Sequence, residues 1–366
     1  MKTVFTHGAG SMLQVRRQRG GPLEVESARI DIGTQLGASG HFRISSPPGW
    51  RATPAGAWAW QVWPQRLAPD ETARVGVQRL AVRSDEPERN VLVNVETSLD
   101  LTSDYDPAAS ALLVRNRASE LGEYWPQREV FEATWPSMPA PFARVLFEGL
   151  YSDVVFLSAG PRRGGLCSGM ARWSLARSLG VEPPPASTEA AIQRIARYHG
   201  RQLRDRALLS ALPWFLRGSP VAAFRAVRND LLRTGMCDRA LDLAVPKLWR
   251  RDVASALVAE GHTVVPYRLQ QRGKRVGAIE VYDPNHPSGV TGGEPRRIEF
   301  DLSGDRYKYG TLVTMEQSNV GIIAVRQRAY MGTGTAILAT LGSLVLDPKR
   351  GFGSLFRRAE HAASKD

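Results

Sequence analysis

Cysteine is almost missing from this 366-residue chain: Cys167 and Cys237 are too few for a disulfide framework, and both read as free thiols. Long hydrophobic runs are missing too. The most apolar tract, Ala336 to Leu346, is 11 residues long, well short of a membrane-spanning helix, and it reads as a buried strand or short helix. Met1 to Leu13 has neither the charged start nor the continuous apolar core of a signal peptide. The expected location is therefore the cytoplasm, or outside by export without a cleaved leader. There is no paired Cys or His at metal-ligand spacing, which argues against a metal site built from Cys167, His262, Asp283 and His286, and no cofactor is expected. The Gly-rich stretch from Gly160 to Gly165 has no Gly-Lys-Ser or Gly-Lys-Thr ending, which excludes a nucleotide P-loop. No internal repeat is found.

Acidic residues are scarce only in the second part of the chain. Residues 1–150 carry 16 Lys or Arg against 17 Asp or Glu, while 151–366 carry 32 against 19, so the net charge of +12 belongs to the latter. Between Ala191 and Arg233 nine arginines face only Asp205 and Asp230. At helical spacing they read chiefly as solvated helix faces, with an acidic partner, nucleic acid included, as the alternative use.

What is present begins with short β-type runs broken by Gly, Pro, Asn and Asp, from Met1 to about Leu101. Their alternation predicts an all-β sandwich or barrel over 1–101. Trp50, Trp58, Trp60 and Trp63 on these runs read as core, not as a ligand platform. Residues 102–141 read as a connector, with a short helical pattern from Pro107 to Leu121 and Pro-containing loops after it. Over 142–330 helices come first and strands afterwards, an α+β order. Ser187-Thr188-Glu189 opens a helix to about Ser210, Ser219-Pro220 opens one that stops near Gly235, and Lys247 to Glu260 makes a third. The strands expected next are Thr263 to Leu269, Val276 to Tyr282, Arg296 to Phe300, Leu312 to Met315 and Gly321 to Val325. Residues 331–366 form a C-terminal extension.

The chemistry gathers at Gly164-Gly165-Leu166-Cys167-Ser168-Gly169-Met170. Ala171, Leu175 and Leu179 recur four apart and Gly180 supplies a stop, so Cys167 falls in the first turn of a helix. Unpaired N–H groups and the dipole at that end favour an anion, and the thiolate is the nucleophilic form of cysteine. Its partners come from a hairpin. With the turn centred on Arg272-Gly273, residues whose numbers add to 545 stand opposite each other, which pairs His262 with Asp283 on the face of Val264 and Val281. An imidazole held by a carboxylate is the base and orienter arrangement of a nucleophilic triad.

These three motifs together resemble the papain-like cysteine peptidase superfamily, most closely its bacterial members with a Tyr-Asp-Pro-Asn sequence and more distantly the bacteriocin-leader peptidase domains of exporters. The resemblance covers about residues 140–325. It implies a papain-like domain with a helical part followed by an antiparallel sheet, Cys167 as nucleophile, His262 as base and Asp283 as orienter, with Asn285 the alternative orienter. Where many members place a Gln that helps bind the oxyanion, this chain has Pro161, so Ser158, Arg162 or Arg163 is the candidate second donor beside the Cys167 N–H. The expected function is a thiol-dependent hydrolase acting on a peptide or protein. The alternatives are acyl transfer by the same triad, as in transglutaminase-like relatives, a papain-like scaffold without catalysis, and an anion site at the helix N-terminus.

Overall fold

Alternating burial along Val91–Thr102 shows how the fold is assembled: Val95, Thr97, Leu99 and Leu101 are buried, while Ser98 and Asp100 are only partly so. A strand with one apolar face must cover it, and this one does so at the middle of a large sheet. The computed structural model describes residues 4–6, 12–31, 42–45, 50–56, 59–64, 77–84, 91–121, 128–138, 143, 165–246, 261–317, 320–332 and 334–338.

In chain order the strands are β1 (Val4–Thr6), β2 (Met12–Arg17), β3 (Leu23–Glu26), β4 (Ala28–Asp31), β5 (Phe42–Ser45), β6 (Trp50–Gly56), β7 (Ala59–Pro64), β8 (Val77–Ser84) and β9 (Val91–Thr102). Helices follow as α1 (Pro107–Ser110), α2 (Ala118–Leu121), α3 (Arg128–Thr134), α4 (Cys167–Ser178), α5 (Thr188–Gly200), α6 (Asp205–Arg217) and α7 (Pro220–Thr234). The remaining strands are β10 (Leu241–Pro246), β11 (His262–Arg272), β12 (Val276–Tyr282), β13 (Arg296–Asp301), β14 (Arg306–Lys308) and β15 (Val320–Ile323). The architecture is α+β.

Two features of the sheet differ from expectation. The boundary placed at 101 falls inside β9, and β9 pairs antiparallel with β11 from Arg268–Thr102 to Arg272–Ser98. Among the described residues twelve strands share one sheet, in which β14-β13-β12-β11-β9-β2-β3 lie side by side in that order. The β-rich first part and the later part thus meet edge to edge. In addition, β1 and β2 run parallel to β9, which is not the all-antiparallel pattern of a sandwich read from alternation alone. A separate three-stranded antiparallel sheet, β4-β7-β6, carries Trp60 into the main core, with Trp50 and Trp63 packed against it. Trp58 lies outside the described residues.

The helices also correct the sequence reading. The long helix expected from Ser187 to Ser210 is broken: α5 stops at Gly200, a 3-10 turn spans Arg201–Leu203, and α6 restarts at Asp205. The restart is fixed from afar. Asp205 accepts hydrogen bonds from Thr335 Oγ1 (2.6 Å) and from the N–H groups of Ile337 (3.2 Å) and Leu338 (2.8 Å). Helix α7 has the expected bounds, with the Ser219 hydroxyl capping Ala222 N–H and Gly235 in the left-handed conformation at its end. The helix expected over 247–260 lies outside the described residues, as do 339–366. The pattern from Pro107 to Leu121 forms two separate single turns, α1 and α2. Leu312 to Met315 is no strand, because Tyr309 and Val313 close a tight turn there. Strand β10, unforeseen, lies between β11 and β15. Among the described residues no helix is long and apolar enough to cross a membrane.

Candidate functional site

Cys167 is the first residue of α4, as the pattern of Ala171 and Leu175 required. Its helix carries no side-chain N-cap at Leu166. The Leu166 N–H is instead bonded to Asn116 Oδ1 at 2.5 Å, and Asn116 Nδ2 donates to Asn285 Oδ1 at 3.0 Å. Asn116 therefore fastens the residue before the thiol to the loop beyond β12. A Cβ on Gly165 would lie 2.2 Å from Asn116 Nδ2, so this contact admits only glycine.

The helix is seated by a buried arginine. Arg172, 1% exposed, donates from one terminal nitrogen to both Asp242 oxygens at 2.8 Å, its Nε reaches Ser168 Oγ at 3.1 Å, and its guanidinium stacks 3.6 Å over the Tyr330 ring. Asp242 also accepts from Thr263 Oγ1 at 2.8 Å, one residue after the histidine. Gly169 is the second point of close approach: a Cβ there would lie 2.2 Å from the Ile195 carbonyl of α5.

His262 opens β11 and is joined to Asp283, although by a different register from the expected one. The turn occupies Gly273 to Arg275, so that Arg272 faces Val276 and the pairs nearest the turn add to 548 as far as Arg268 and Glu280. In that register Asp283 would oppose Val265 and lie on the face opposite His262. A bulge around Tyr267 changes the pairing to Pro266–Val281 and Val265–Tyr282. The extra residue puts Asp283 across from Val264, diagonal to His262 and on its side of the sheet. His262 Nε2 and Asp283 Oδ1 are 2.7 Å apart.

The carboxylate is enclosed. Asp283, 2% exposed, also accepts from the Asn285 N–H at 2.8 Å and from the Tyr309 hydroxyl at 2.5 Å, while Arg296 Nε stands 3.7 Å from Oδ2. The Tyr309 ring stacks on the imidazole, centroids 6.2 Å apart. On the ring's other nitrogen, Asn285 Nδ2 is 3.5 Å from His262 Nδ1, at the limit of a hydrogen bond.

Charge follows from these contacts. Burial opposes ionisation of the Cys167 thiol, but its hydrogen bond and charge interaction with His262 and the Thr263 N–H outweigh burial and the nearby Asp242, and the thiol is held below its ordinary range. Burial likewise opposes charge on His262, and the bonds to Asp283 and Cys167 prevail, raising it. Asp283 is drawn down to about 2 against burial, by His262 first and then by Tyr309 and the Asn285 N–H. The set supports a thiolate–imidazolium pair braced by a carboxylate. Cys237 is the contrast: fully buried and near Asp230, its thiol is pushed up to about 12.

A cleft of about 340 Å³, at the small end of ligand pockets, opens on Cys167, His262, Asn116 and Arg296. The structure brings Cys167, His262, Asp283 and Asn285 together, while Ser158, Arg162 and Arg163 lie outside the described residues. Asn116 and Tyr309 escaped the sequence reading. Asn116 sits in an Arg-Asn-Arg loop 50 residues before Leu166, with no local signal beyond an Asx residue in a turn. Comparison of the chain with protein-family models, with curated proteins and with solved structures finds no match to any of them.

Proposed function

We propose that this chain is a thiol-dependent hydrolase of papain-like fold that cleaves a peptide bond through an acyl-enzyme. The observation that carries the reading is the convergence on one cleft of Cys167, at a helix N-terminus, and His262, which is held 2.7 Å from buried Asp283. The thiolate attacks the carbonyl carbon and the C=O electron pair moves to oxygen. The Cys167 N–H, in the first turn of the helix where amides have no intrahelical partner, serves that developing charge, and the Asn116 amide on the same cleft wall supplies a side-chain donor. Collapse expels the amine, which takes its proton from His262. Water then gives a proton to His262 and attacks the thioester, releasing the acid and restoring the thiolate. With an amine in place of water, the same groups carry out acyl transfer.

Asp283 keeps the imidazole in the tautomer with hydrogen on Nε2 and stabilises the imidazolium. Tyr309 and the Asn285 N–H keep Asp283 ionised. The test is incubation of the protein and of Cys167→Ala with a proteome-derived peptide library, reading new termini by mass spectrometry, together with acid quenching to trap an acyl adduct on Cys167. New termini and the adduct are expected from the wild type alone. Equal cleavage by the Ala variant would reject the reading.

A further inference from the structure

Resting on that reading, the cleft wall also carries information about the substrate. Among the described residues its single carboxylate, Asp283, is enclosed by His262, Tyr309 and the Asn285 N–H. Arg296 stands opposite in character. It starts β13 beside Val281, its side chain is 37% exposed, and its guanidinium lies over the Tyr309 ring at 5.7 Å. Its Nε is 3.7 Å from Asp283 Oδ2, beyond hydrogen-bond reach, and among the described residues this is its only ion pair. A guanidinium has five N–H donors, and its planar fork matches a carboxylate. Among the described residues the other titratable groups lining this wall are Cys167, His262, His286 and Tyr309, and Arg117 is near enough to act on His286. His286 is lowered by burial and further by Arg296, His262 and Arg117, with Asp283 the opposing charge, which agrees with a cationic field at the wall.

We propose that the Arg296 guanidinium is an anion subsite of this cleft, and that the preferred acyl donor carries a carboxylate close to the carbonyl attacked by Cys167. Two alkylating agents of nearly equal size probe this without knowledge of the substrate. Iodoacetate brings a carboxylate to the thiolate and iodoacetamide does not. The rate ratio of the two at Cys167, divided by the same ratio for N-acetylcysteine amide, is expected to be about three- to tenfold above one at low salt and to fall toward one in 1 M salt, where exposed charges are screened. Arg296→Gln is expected to lower it at least threefold and Arg296→Lys to restore part of it. Protection of Cys167 from iodoacetamide by N-acetylglutamic acid amide, against N-acetylglutamine, then tells an acidic side chain from a terminal carboxylate.

A ratio near one that ignores both salt and Arg296→Gln overturns the subsite while leaving the thiolate reading intact. If Cys167 reacts with neither reagent below pH 8, the thiolate reading fails and the subsite with it. The salt series uses the unaltered protein and reads the cationic wall as a whole, so a ratio near one at low salt overturns the subsite without any variant, while the assignment to Arg296 is read from Arg296→Gln against the charge-keeping Arg296→Lys.

Discussion

Replacing His262 by Ala isolates the largest influence that favours the Cys167 thiolate. In the native site burial opposes the thiolate, and His262 overcomes it by a hydrogen bond and by charge. Without the ring, burial and Asp242 remain on one side and the Thr263 N–H on the other. A hydrogen bond between charged groups contributes about 1.5–3 kcal/mol, and one pKa unit corresponds to about 1.4 kcal/mol. The midpoint of Cys167 ionisation should therefore rise by at least about 1–2 units, from below the ordinary thiol value to above it. The assay is iodoacetamide alkylation from pH 5 to 10, resolved by peptide mass spectrometry, with Cys237 as an unreactive internal standard because it is fully buried. At pH 6.5 the rate should drop roughly 10- to 100-fold. Removing the partner of a buried carboxylate costs about 3–5 kcal/mol, so His262→Gln, which keeps an amide donor toward Asp283, is measured alongside. A folded variant of either kind whose midpoint stays within about half a unit of wild type refutes the proposed thiol–imidazole coupling.

Tyr309→Phe removes a buried hydroxyl bonded to Asp283, and the loss of a charge-assisted hydrogen bond of about 1.5–3 kcal/mol should appear in denaturant unfolding along with a lower peptide-cleavage kcat; no change in either contradicts the brace. Asp283 is lowered to about 2 against an ordinary value near 3.9, so its contribution is present above pH 4 and is lost as the pH falls toward 2. The stability gap between wild type and Asp283→Asn should accordingly shrink by about 2–3 kcal/mol over that interval, read from urea midpoints, and a gap independent of pH contradicts the assignment. Gly169→Ala forces a methyl against the Ile195 carbonyl and should destabilise by about 1–3 kcal/mol, with α4 and α5 pushed apart; a neutral result contradicts the close packing.

The cysteine helix was legible because its evidence is local: glycines before Cys167, an apolar row four apart after it, and a glycine at the end. The histidine and aspartate were legible as a pair but not by the register used. The turn lies further along than Arg272-Gly273 suggests, and the bulge around Tyr267 returns Asp283 to the right face. A bulge answers to tertiary packing and leaves little mark in sequence. The break after Gly200 depends on Asp205 binding residues 335–338, a contact between distant segments that periodicity cannot register. Tyr309 is similar. Its hydroxyl reaches Asp283 across 26 positions, and nothing around Lys308-Tyr309-Gly310 marks it as part of a site.

The pairing of β9 with β11 bears on how the protein can be divided. Cleavage at the apparent boundary near 101 would strip Ser98 to Leu101 from the strand that begins with His262, and would expose a row of backbone donors and acceptors along Leu269 to Arg272. An unpaired edge of that kind recruits other chains. The later part, cut away at 101, is therefore a poor candidate for independent purification. The amino-terminal strands thus hold the far half of β11, Arg268 to Arg272, while β10 pairs with its His262 end.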